Sequence, residues 1–472
     1  MSIQRLFAML TCRGSEFGYW EWLNTPFLRN VVFCLLPPLG IFLIGFDASP
    51  YGPTPMYLGM MLLILGGGVL FCQEKCIFWR YSLVVSVFVL GAWVILRVGA
   101  SWFFPLFDPS YYNHEAWWDV FRASGIVVLF LGLWIAHYPK LFWFGMAGLL
   151  LGASSYPWVV GGWEMIFESL NAGGRLSLEG GPNFLGRYSS SMVGVGLSII
   201  VYSLLRFASG RTSKLFVFCF LIVGVYVFAL HFLLLIASES RQSWVAVVFS
   251  LVFLISLFFL VINGWKKGEN ARYKVHFSWG VGVFFVVILL AFPFRGVIIE
   301  RFEDSCRTIN ALATFQFENI DKEGDLGKRV LMWADGFSAI AEKPLVGYGP
   351  GFTSHIRKST ERESIKNLGG QFHNTYIHLA VGLGLPWLIA WVGVHVMVVF
   401  FAVKRAFESL HSFFVVLVGC SFVITFLVSG LAEYRLHNAQ EFGMYLFGFS
   451  LLFGEALQKC VPKSQPTKFF TS

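Results

Sequence analysis

Apolar runs long enough to cross a bilayer recur along nearly the whole chain, separated by short polar hinges, and no other feature restricts its fold as much. A crossing takes roughly 17 to 25 helical residues, and backbone immersed in hydrocarbon must satisfy its own hydrogen bonds, which a helix does within one segment. The pattern predicts an all-α integral membrane protein with about twelve transmembrane helices. They fall at 31–46, 54–73, 80–96, 119–136, 141–158, 188–206, 215–236, 243–263, 276–293, 385–403, 412–430 and 441–457. Of 472 residues, 56% are hydrophobic and 13% charged, whereas an average soluble chain is about one-quarter charged. Too few charges remain to coat a soluble surface.

The net charge of +8 matters less than where the charges sit. With the N-terminus cytoplasmic, Arg5, Arg13, Arg29, Lys75, Arg80, Lys140, Arg206, Arg211 and Lys214 fall inside, followed by Lys266, Lys267, Arg272, Lys274, Lys404, Arg405, Lys459, Lys463 and Lys468. Every inside loop then carries Lys or Arg, as cytoplasmic loops should. The charges of the long segment 294–384 do not count against this orientation, because long loops translocate largely regardless of charge. The expected organisation is 1–293 with nine spans, 294–384 as one large outside loop with amphipathic helices, 385–457 with three more spans, and 458–472 as a cytoplasmic tail. Residues 1–26 lack the apolar core and small-residue cleavage site of a cleavable signal peptide. Cys306 alone is clearly exposed outside, so no structural disulfide is expected. Cys72 and Cys76 have helical spacing but no companion ligands, and no metal or cofactor is expected. The Gly-rich stretches lack the Lys-Ser/Thr of a phosphate loop.

None of the predicted spans carries an acidic residue at its middle, which weighs against an ion-coupled transporter. His231 and His395 fall within spans and are expected to hydrogen-bond neighbouring helices. The chemistry-bearing residues crowd the outside face instead. Arg241, in the turn SESRQSW (238–244), sits where a helix begins, and its fork of donors suits a phosphate; pairing with Glu239 is the plainer reading. The segment 325–352 reads as an amphipathic helix with Val330, Trp333, Phe337 and Ile340 on one stripe and Pro344 followed by glycines marking its end. Arg329 in its first turn opposes the helix dipole unless a carboxylate such as Asp325, or a bound anion, offsets it. His373 stands at the start of a short helix running to Gly382–Gly384. There the positive end of the dipole disfavours imidazolium and leaves a ring nitrogen to accept a proton, as a general base requires. The bland reading is an interfacial histidine beside Asn374 as a helix cap. The loop 432–440 adds Glu433, Arg435 and His437.

These pieces, in this order and on one face, resemble the bacterial O-antigen ligase and O-antigen polymerase family of membrane glycosyltransferases. The resemblance rests on His373, Asn374 and Gly384 in the family's histidine pattern, from which Trp387 departs at the closing place, where the pattern has Gly, Thr or Tyr. It rests also on Arg329 to Trp333 followed by Gly-Tyr-Gly-Pro-Gly at 347–351, on Ser240-Arg241, and on Gly181-Pro182-Asn183. It covers about residues 180–450, while the first five spans match in hydropathy alone.

The resemblance implies transfer of a glycan from undecaprenyl diphosphate to a hydroxyl of a membrane-anchored acceptor such as lipid A core, with inversion and without metal. It implies His373 as catalytic base, Arg241 and Arg329 on the diphosphate, and Asn374, Arg435 and His437 as candidate substrate contacts. The setting it implies is a bacterial inner membrane, with both termini cytoplasmic and the site on a periplasmic face. A polymerase that extends the carrier-linked glycan, and transfer to protein hydroxyls, are alternatives within the family. Outside it stand a polysaccharide flippase, which would line its path with charges, and a membrane scaffold, which would not need the outside cluster. No nucleic-acid partner is expected.

Overall fold

The computed structural model describes residues 35–46, 58–62, 84–87, 89–93, 126–155, 162–172, 175–176, 181–210, 212–266, 295–296, 299, 306, 308, 310–311, 313–314, 325–349, 372–434 and 439–458. The regular elements of these residues are helices: α1 (Leu36–Phe46), α2 (Ile126–His137), α3 (Leu141–Ser154), α4 (Trp163–Ala172), α5 (Gly181–Ser209), α6 (Lys214–Ala237), α7 (Arg241–Lys266), α8 (Asp325–Glu342), α9 (Thr375–Leu383), α10 (Leu385–Ala406), α11 (Leu410–Ser429) and α12 (Ala439–Leu457). Five of them contain stretches long and apolar enough to cross a membrane: Pro182–Ser209, Lys214–Ala237, Arg241–Trp265, Leu385–Ala406 and Leu410–Ser429. They coincide with five spans expected from hydropathy. The span expected at 276–293 lies outside the described residues, and those at 31–46, 54–73, 80–96, 119–136 and 141–158 are described only in part.

Small residues bring the long helices together. A Cβ on Gly196 of α5 would stand 2.6 Å from the backbone nitrogen of Phe228 in α6, so only glycine permits this approach. Gly194 of α5 receives Ser421 of α11 in the same way. Close backbone approach through small residues drives association where lipid tails are as apolar as the side chains. The intramembrane histidines serve this packing. His395 lies 2.7 Å from the carbonyl of Trp391 and 2.6 Å from the Tyr445 hydroxyl, and His231 lies 3.5 Å from the Ser189 hydroxyl.

The contacts fix which ends of the helices share a side. At one end, Gly186 of α5 packs against Ser238, Ser240 and Ser243 around the start of α7, and the Thr375 amide at the start of α9 donates to Gly430 just after α11. At the other, Trp265 near the end of α7 donates to the carbonyl of Phe407 between α10 and α11. Arg206, Lys404 and Arg405 occupy last turns of α5 and α10, at this second end.

Beside the bundle, α8 and α9 share a smaller core of Met332, Ala339, Ile340, Tyr348, Phe372, Ile377, Ala380 and Val381. Ile340 and Trp333 of the expected stripe of α8 pack on this core, but Phe337 does not. Met332, Gly336 and Ile340 are turned inward, with Gly336 against Ile377, while Phe337 is 60% exposed. One helical position decides this, because Gly336 lets α9 approach at a column that the hydrophobic pattern leaves unmarked.

Candidate functional site

The site begins with the cap of α9. Asn374 is extended, and its side-chain oxygen accepts hydrogen bonds from the amides of Tyr376 and Ile377, as an N-cap residue does. Its side-chain nitrogen donates to the Leu431 carbonyl at 2.8 Å. The Thr375 hydroxyl donates to the Glu433 carbonyl at 2.9 Å, the Tyr376 hydroxyl to Leu427 at 2.6 Å, and the His378 ring stacks on Tyr434 with centroids 3.6 Å apart. These bonds clamp the start of α9 to residues 427–434. His373, the residue before the cap, takes a left-handed φ of 47°. Such a backbone costs a non-glycine residue about 1 kcal/mol or more and persists where its surroundings impose it.

That conformation brings His373 Nδ1 to 2.6 Å from Glu433 Oε1. A carboxylate facing Nδ1 favours the hydrogen on that nitrogen, leaving Nε2 as the acceptor in the neutral ring. The other oxygen of Glu433 stands 3.6 Å from Arg187 and 3.7 Å from Arg329. One carboxylate thus serves three basic side chains. Burial alone would raise the Glu433 carboxyl, but the contact with His373 and the charges of Arg187 and Arg329 outweigh it. They hold the group at about 2, below the usual 4.5.

Arg329 belongs to the second turn of α8, where the dipole opposes a cation. The offset is supplied from another element: Arg329 also donates to the Ala432 carbonyl, beside Glu433. The glycine run after α8 sets this register. Gly347 and Gly349 take positive φ, the amides of Tyr348 and Gly349 donate to the carbonyls of Val381 and Gly382, and that of Leu385 donates to Pro344. The loop is thereby laced to the end of α9, and the Arg329 helix is held against the helix that His373 precedes.

Three of the residues singled out in the sequence, Arg329, His373 and Asn374, meet around 430–433. Arg241 opens α7 at the same end of the bundle, in the turn packed on Gly186, and is not among the ion pairs of Glu433. Arg435 and His437 lie outside the described residues. Two central residues went unselected by the sequence reading. Arg187 falls one residue before the span expected at 188–206, yet α5 begins at Gly181 and buries it to 6% exposure. An arginine beside an apolar run, six residues after Gly181-Pro182, was the available signal. Glu433 was noted in its loop, but its role as the shared anion depends on contacts far apart in sequence.

The arrangement pairs a proton acceptor with two guanidiniums, the means to activate a hydroxyl and to stabilise an anionic leaving group. No curated protein matches the chain. A family model described as O-antigen ligase matches residues 226–392, an interval containing Arg241, Arg329, His373 and Asn374. Over residues 226–392 the chain is similar to the O-antigen ligase family.

Proposed function

We propose that the chain is an O-antigen ligase-like glycosyltransferase, moving a glycan from undecaprenyl diphosphate to a hydroxyl of a membrane-anchored acceptor such as lipid A core. The single observation that carries this reading is His373 facing Glu433 with two guanidiniums at the same carboxylate. His373 Nε2 takes the proton of the acceptor hydroxyl as its oxygen attacks the anomeric carbon from the side opposite the diphosphate. The bond from that carbon to the diphosphate oxygen breaks, its electron pair stays with the oxygen, and the anomeric configuration inverts. Arg241 and Arg329 hold the diphosphate and its developing charge, so the leaving group needs no proton. Glu433 orients the ring and stabilises the imidazolium that forms, while Asn374 fixes the start of α9. Arg435 and His437 are assigned to substrate contact.

The same reading sets the topology: about twelve spans in a bacterial inner membrane, both termini cytoplasmic, and residues 294–384 as a large periplasmic loop. It is supported by the clustering of basic last-turn residues at the bundle end opposite Glu433. The test is transfer in proteoliposomes containing the full chain, an undecaprenyl-diphosphate glycan and lipid A core. Glycan on the core with wild type, and none with His373→Ala at equal protein level, is expected. Retained transfer by the variant would remove the catalytic assignment. Lengthened glycan on the carrier with a bare core would replace the ligase reading with the polymerase one.

A further inference from the structure

We propose that Arg187 is a further donor-binding residue, a guanidinium that Glu433 holds in the unliganded site and gives up to the carrier diphosphate. The inference rests on the donor reading above. Arg187 lies inside a helix apolar enough to cross a membrane, 6% exposed, and an ionised side chain placed there is costly unless an anion compensates it. Its carboxylate partner is already shared: the Glu433 oxygen 3.6 Å from Arg187 is the one 3.7 Å from Arg329, and the other oxygen faces His373. Two guanidiniums thus converge on one carboxylate oxygen. A diphosphate brings more than one negative charge and enough oxygens to take both guanidiniums at once.

Position favours this exchange. Arg187 follows Gly186, where a Cβ would stand 2.6 to 2.8 Å from atoms of Ser238, Ser240 and Ser243, so the turn of α5 bearing Arg187 is locked to the turn that opens into Arg241. Arg187 therefore bridges two parts of the site: the carboxylate beside His373 and the arginine turn at the start of α7. Once the diphosphate draws both guanidiniums away, Glu433 is left with His373, the residue that must become cationic as the proton moves. Donor binding would then prepare the base as well as the leaving group.

The experiment uses the full chain in nanodiscs with undecaprenyl diphosphate, free of glycan, as the probe, reading both its Kd and the Tm. Arg187→Gln is expected to weaken binding about 10-fold or more, the scale of one charge-assisted contact. Arg187→Lys should recover part of that loss, since a lysine keeps the charge without the planar fork. Glu433→Gln should have a lower Tm without ligand, bind the probe at least as tightly as wild type, and gain more Tm on binding it. Wild-type affinity in Arg187→Gln alongside a lowered Tm would show a structural ion pair only and overturn the proposal. If that variant does not fold, Arg187→Lys decides, with an unchanged Kd overturning the proposal and a raised one supporting it. Weaker binding by Glu433→Gln would also overturn it. Failure of wild type to bind the probe would instead remove the donor reading itself, which separates the two failures.

Discussion

At the scale of single residues, one carboxylate organises the chemistry. Glu433 is held at about 2 against the usual 4.5, so its ionised form is favoured in the fold. A depressed carboxyl contributes stability above its unfolded value and loses it as pH falls through the folded one. Thermal melts should therefore show wild type losing stability between about pH 4.5 and pH 2, and Glu433→Gln lacking that component. Glu433→Ala, which removes the carboxylate that Arg187 and Arg329 share, should cost on the order of 3 kcal/mol. His373→Ala should leave folding intact and lower transfer by about 10² to 10⁴, the usual contribution of a general base. The sequence made His373, Asn374 and Arg329 visible because a histidine before a cap residue and a cation at a helix start are local oddities. Glu433 and Arg187 were not visible in that way, since each is an ordinary charge near a span end until residues 187, 329, 373 and 433 are brought together.

At the scale of elements, the junction between α8 and α9 decides whether Arg329 faces the same carboxylate as His373. Gly384 carries it: φ is 91°, and a Cβ there would lie 2.3 Å from the Leu345 carbonyl oxygen. Gly384→Ala should undo the lacing of residues 344–349 to α9, through a backbone cost of about 1 kcal/mol plus the clash. Transfer should fall sharply while the variant still inserts and purifies as wild type does; unchanged activity would show that this junction does not position Arg329. Hydropathy located the long helices because an apolar run of that length has few other ways to fold. It put Trp333 and Ile340 rightly on the inward face of α8, but it included Phe337, which is exposed, and missed Gly336, which meets Ile377. A glycine that enables contact leaves no mark in a hydrophobic pattern.

For the whole molecule, alternation of helix direction collects residues distant in sequence at one end of the bundle. Arg187, Arg241, His373 and Glu433 belong to four separate stretches, and Trp265, Phe407 and the basic last turns mark the opposite end. If residues 294–384 are periplasmic, exposed Cys306 should react with a membrane-impermeant maleimide in cells with a permeabilised outer membrane. Labelling only after the inner membrane is opened would reverse the topology. The central claim, that His373 transfers glycan from undecaprenyl diphosphate onto an acceptor, is tested most directly in cells deleted for this protein and complemented with wild type or His373→Ala. Lipid A core species are resolved on a gel while the undecaprenyl-linked pool is extracted. The account predicts long carrier-linked glycan beside a bare core in the deletion and in the His373→Ala cells, and capped core with wild type; an unchanged pattern in both fractions would contradict it.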